Sequence, residues 1–133
     1  MSKWFGKEKQ TPLHAARIED YVLIGDCETA ALVSREGSID WLCWPSFSDG
    51  ACFAALLGTA ENGYWRIRPE AEIRSVTRRY MPGTMIVETT FVTEEGAVSL
   101  TDFMPPRGKH SDVVRIVTGI RSEEHTSELQ SPA

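Results

Sequence analysis

TAALVSREGSIDWLCWP (29–45) is the stretch on which the fold turns. Two runs, TAALVS (29–34) and SIDWLC (38–43), flank REG (35–37). REG reads as a short hairpin loop in which Gly37 supplies a positive φ. On an extended chain Ile39, Trp41 and Cys43 point one way, and Asp40, Leu42 and Trp44 the other. Both faces are therefore largely apolar, as expected of a strand covered by a neighbouring layer, and Trp41 reads as core. Pro45 ends the strand and places Phe47 and Asp49 in a loop.

Outward from this hairpin, short apolar or alternating runs recur. YVLI (21–24) precedes it; YWRIR (64–68), EIRSVTRRYM (72–81), TMIVETTFV (84–92), AVSLTDFM (97–104) and DVVRIVTGI (112–120) follow. In YWRIR, Tyr64, Arg66 and Arg68 share one face, and Trp65 and Ile67 the other. Pro82-Gly83 has the residues a type II turn demands. Glu94-Glu95-Gly96 turns the chain again, and Pro105-Pro106 ends a strand. GACFAALLG (50–58) predicts one short helix near 49–57: Ser48 or Asp49 caps it, and Phe53, Leu56 and Leu57 form an apolar face. Many short strands joined by Gly and Pro turns predict an all-β, antiparallel β-sandwich, here incomplete.

The balance of 14 basic and 19 acidic residues gives a net charge of −5. Nucleic acid and anionic membrane require clustered Lys and Arg, so neither is an expected partner. No apolar run approaches the ~20 residues of a membrane helix. The charged start MSKWFGKEKQ has no signal-peptide core, which points to the cytoplasm. Cys27, Cys43 and Cys52 show no metal-ligand spacing and read as small buried thiols. No metal and no cofactor are expected.

The candidates for chemistry are few. Gly25-Asp26 reads as an Asx-type turn, with Asp26 and Glu28 a solvated pair of acids. Asp102, at a strand end before two prolines, reads as a turn cap. No serine, histidine and acid fall in triad order, and no cysteine has a paired histidine. Around Pro45 the residues alone favour core packing. The competing reading is a substrate rim: Trp44 or Phe47 offers an apolar ring to a sugar while Asp49 hydrogen-bonds a hydroxyl.

RSEEHTSELQS (121–131) differs from everything before it. Eleven consecutive residues match the translation of a common sequencing-library adapter. Three segments are expected: a lead-in at 1–17, a partial N-terminal β-sandwich at 18–120, and a non-native tail at 121–133.

IEDYVLIGDCETAALVSREGSIDWLCWPSFSDGACFAALLG (18–58), with TDFMPP (101–106) and DVVRIVTGI (112–120), resembles the trehalase-like N-terminal domain of glycoside hydrolase family 15, the bacterial glucoamylase and trehalase group. The resemblance implies a β-sandwich followed by an (α/α)6-barrel on which it packs. The barrel carries two glutamates that hydrolyse an α-glucoside, trehalose or a maltooligosaccharide, with inversion. Inversion needs carboxyls ~6.5–9.5 Å apart so that a water fits between them. Neither glutamate is expected in this chain, so it carries no catalytic residue. Relatives often read F-D-S after the W-P pair, whereas this chain has Phe47-Ser48-Asp49, with the order of the last two reversed. The rival expectation is a stand-alone carbohydrate-binding or scaffolding β-sandwich.

Overall fold

The computed structural model describes residues 17–58 and 60–120. The adapter-like tail and all but the last residue of the lead-in lie outside the described residues.

Among the described residues two antiparallel sheets build the domain. The first is five-stranded: β1 (Val22–Gly25), β2 (Ala30–Val33), β3 (Ser38–Cys43), β4 (Ala51–Phe53) and β5 (Trp65–Arg66). β4 and β5 both pair with β3, at its opposite ends. The second is a four-stranded meander of β6 (Ile73–Tyr80), β7 (Val87–Thr93), β8 (Gly96–Phe103) and β9 (Val114–Ile120). The expected all-β fold is present.

Local chemistry sets the turns. Gly37 has φ +75°, and a Cβ there would meet the Ile67 carbonyl oxygen at 2.2 Å, so only glycine fits. Gly83 has φ +74°, and the Thr84 amide donates to the Met81 carbonyl at 3.1 Å, closing the expected Pro-Gly turn.

The core lies between the sheets. Ile24, Ala31, Val33, Ile39 and Leu42 of the first sheet meet Val87 of the second and Met104 just beyond β8. Val22, Trp44, Phe53, Trp65 and Val113 pack against this cluster. Phe91 and Leu100 are also buried.

β3 departs from simple alternation, and this corrects the reading of Trp41. Leu32 pairs with Trp41, but Val33 pairs with Ile39, so Asp40 is an extra residue in the ladder. The bulge lets Ile39 and Leu42, three positions apart, point into one core. Trp41 moves to the outer face opposite Leu32, where both are half-buried. Asp40 is itself buried, accepting from the Tyr21 hydroxyl at 2.6 Å and the Ser38 hydroxyl at 2.5 Å.

The expected helix near 49–57 is also corrected. Residues 51–53 form β4 against Leu42 and Cys43, and only Ala55–Leu57 is helical, as a single 3-10 turn. A run this short does not offset the cost of helix nucleation. Pairing with β3 instead satisfies backbone groups beside the core. The supposed apolar face is split: Phe53 packs on the core, while Leu57 is 70% exposed.

Candidate functional site

One end of the first sheet gathers three chain segments. β1 ends at Gly25, and the following turn is built by Asp26. Its Oδ1 accepts from the amides of Glu28 and Thr29, each at 2.9 Å, which is the expected Asx-type turn. Asp26 is not solvated, however; its side chain is fully buried. Arg107, just past Pro105-Pro106, reaches it from the second sheet. Its Nε donates to Asp26 Oδ2 at 3.1 Å and stands 2.8 Å from Glu28 Oε2. Burial pushes the Asp26 carboxyl up, but the two backbone amides and Arg107 outweigh it, and the pKa is held below the ordinary aspartate value.

The third segment is the loop after β3. The Trp44–Pro45 peptide is cis. Arg107 Nη2 donates to the Pro45 carbonyl, and the Phe47 amide donates to the Glu28 carbonyl at 3.1 Å. Asp49 Oδ2 closes the loop, accepting from the Ser46 amide at 3.0 Å and the Ser46 hydroxyl at 2.7 Å. The Thr29 hydroxyl ties the turn to β3 through the Cys43 carbonyl at 2.5 Å.

The three rim candidates therefore play different parts. Phe47 is 62% exposed and presents its ring outward. Asp49 is exposed, and one carboxylate oxygen is held by Ser46. Trp44 is half-buried and leans on the core beneath them. Of the residues that hold the loop in place, the sequence reading gives Asp26 and Glu28 only a solvated turn and gives Arg107 no role. Nothing in the local pattern marks Arg107, since the Pro45 carbonyl and the Asp26 carboxylate it holds are 62 and 81 residues away and Glu28 lies beside Asp26.

Asp102 is likewise not a turn cap. It is buried on β8 and paired with Arg115 of β9, Nε to Oδ1 at 2.7 Å. Arg115 also donates to the carbonyls of Trp65 at 2.7 Å and Gly37 at 2.6 Å, and stacks 5.1 Å from the Trp65 ring. The pair fastens the second sheet to β5 and to the hairpin turn that leads into β3. Burial drives the Asp102 pKa upward, and Arg115 offsets this only in part.

The cysteines need correcting as well: Cys43 is buried, but Cys27 and Cys52 are exposed, and all three are free thiols. Among the described residues no three His, Cys, Asp or Glu side chains gather as a metal-holding group, and no helix is long and apolar enough to cross a membrane.

Fold and loop together define a β-sandwich domain with one exposed aromatic ring on a pinned loop. The family model described as "Trehalase-like, N-terminal" matches residues 6–125, and the chain belongs to that family. It is 39% identical over 85 residues to the trehalase of Mycolicibacterium smegmatis, covering 64% of this chain and 13% of that protein. It is 37% identical over 98 residues to the trehalase of Mycobacterium tuberculosis, covering 74% of this chain and 14% of that protein. To the trehalase of Thermoplasma volcanium it is 36% identical over 91 residues, covering 67% of this chain and 15% of that protein. The chain thus spans 13–15% of the length of these relatives. No solved structure matches it.

Proposed function

We propose that this chain is the N-terminal β-sandwich portion of a cytoplasmic, cofactor-free, inverting α-glucoside hydrolase of glycoside hydrolase family 15. The observation that carries this reading is the family match across residues 6–125 together with relatives named as trehalases. Those names favour trehalose over maltooligosaccharides as the substrate. The reaction needs one protonated carboxyl on the glycosidic oxygen and one ionised carboxyl activating water on the opposite side of the ring. An (α/α)6-barrel packed on the sandwich supplies both. The sandwich contributes a rim of Trp44, Phe47 and Asp49. Trp44 supports the loop, Phe47 faces the sugar, and Asp49 reaches a hydroxyl. The adapter-like residues 121–133 take no part.

The exposed Phe47 ring favours a second reading, a carbohydrate-binding module that acts without catalysis. One experiment separates the two. The reading frame beyond residue 120 is recovered from genomic DNA, and the longer protein and the 133-residue chain are assayed side by side for glucose release from trehalose and maltooligosaccharides. The expected result is turnover by the longer protein alone. A stop codon directly after the sandwich favours the binding module. Turnover by the monomeric 133-residue chain overturns both readings.

A further inference from the structure

Arg107 joins three segments that the sequence keeps far apart. Its Nη2 lies 3.0 Å from the buried Asp26 carboxylate and donates to the Pro45 carbonyl, while Nε sits between Asp26 and Glu28. The arginine side chain is 18% exposed and that of Glu28 57%. The Asp26 contact is therefore shielded from water and salt, and the Glu28 contact is weaker. A planar fork is needed to reach a carboxylate and a carbonyl together; a lysine ammonium is a point charge on a flexible stem.

The loop is pinned at two points by one turn. Pro45 is held through Arg107, and Phe47 through the Glu28 carbonyl. The exposed ring therefore rides on a fixed backbone. Such a ring meets a flat apolar sugar face with little ordering left to do on binding.

We propose that Arg107 is a positioning residue that holds the Pro45–Asp49 loop in the form that presents Phe47, so that sugar recognition at this rim depends on the link between β8 and β9. This rests on the reading of the rim as a carbohydrate contact.

Two measurements on the 133-residue chain keep the proposal distinct from that reading. The first is amide hydrogen exchange in wild type, Arg107→Lys and Arg107→Gln. Exchange at Phe47 is expected to quicken by about tenfold or more in both variants while β7 and β8 stay protected. Unchanged exchange at Phe47 overturns the proposal whether or not sugar binds. So does loss of protection throughout β7 and β8 in Arg107→Lys, because the residue then holds the whole fold rather than the loop. The second is titration with trehalose and with maltose, followed by the Phe47 and Asp49 amide resonances. Wild type is expected to respond, Phe47→Ala to lose the response, and Arg107→Lys to bind about tenfold more weakly. No response in wild type overturns the rim reading and leaves the exchange result to decide the role of Arg107. Wild-type affinity in Arg107→Lys overturns the positioning role.

Discussion

Asp102 and Arg115 stand directly opposite each other in the β8–β9 ladder, and their side chains meet with neither exposed to solvent. A buried pair of this kind is destabilising to break, because the survivor is left as an uncompensated charge. Asp102→Ala is expected to cost about 3–5 kcal/mol. Replacing both partners with apolar residues is expected to cost less than the single change. Urea denaturation of the two variants checks this, and a single variant within 1 kcal/mol of wild type, roughly the worth of an exposed pair, would contradict it.

Thr89 offers the opposite case. It is fully buried on β7, and its hydroxyl has no hydrogen-bond partner among the described residues. An unmet buried hydroxyl costs about 1–3 kcal/mol. Thr89→Val keeps the shape and removes the polar atom, so it is expected to raise the urea midpoint. A lower midpoint would show that the hydroxyl has a partner, such as a buried water.

The three aromatic rings around the cis-proline loop are expected to separate by stability. Trp44→Ala is expected to cost about 3 kcal/mol, the low end for a large ring because it is only half-buried. Trp41→Ala is expected to cost less, since the bulge in β3 turns that ring away from the core. Phe47→Ala is expected to stay within about 0.5 kcal/mol, as an exposed side chain should. Thermal melts of all three check the order, and an equal loss for Phe47 would contradict the division.

Asp26 predicts an acid-side dependence. Its pKa is depressed in the fold, so its contribution is present above the unfolded aspartate value of ~3.9 and is lost as pH falls through the folded value. Stability of wild type relative to Asp26→Asn should therefore shrink below about pH 4. Using the difference between the two proteins cancels the other carboxyls. A difference independent of pH from neutrality down to strong acid would mean that the Asp26 carboxyl is not depressed in the fold.

The two edges of the second sheet carry different chemistry. β6 bears Arg74, Arg78 and Arg79, whereas the only charge on β9, Arg115, is buried. Ile116 and Val117 are exposed there. Among the described residues no strand pairs with the outer side of β9. An open, β-branched, uncharged edge invites strand addition. The 133-residue chain is expected to associate with rising concentration, and Thr118→Lys to reduce that association. Light scattering checks both, and scattering unaffected by the lysine would place the contact elsewhere.

What the sequence disclosed follows the reach of each interaction. Gly37 and Pro82-Gly83 act within a few residues, so their turns could be read directly. Tyr64, Arg66 and Arg68 also share a face as alternation predicts, with Arg66 over the Tyr64 ring and both arginines near Glu36. Simple alternation misplaces Trp41 because one extra residue, Asp40, shifts the pleat, and no composition rule marks a bulge. Asp26 reads as a solvated acid and Asp102 as a turn cap because their arginines arrive from 81 and 13 positions away. Pro45 marks Phe47 as a loop residue, but the Arg107 contact that pins that loop lies beyond any local pattern.

The Tyr80 hydroxyl donates to the Leu23 carbonyl at 2.8 Å and accepts from the Leu23 amide at 3.0 Å. One phenol from the last residue of β6 thus occupies both outward-facing groups at the middle of β1, as a neighbouring strand would. Arg78 and Arg35 make further backbone contacts alongside it, to Val33 and Val76. The sandwich is zipped along this flank, each sheet's margin sealing the other's. Among the described residues the open strand margins, those of β4, β5 and β9, lie away from this seam, so the domain has a built-in direction of growth.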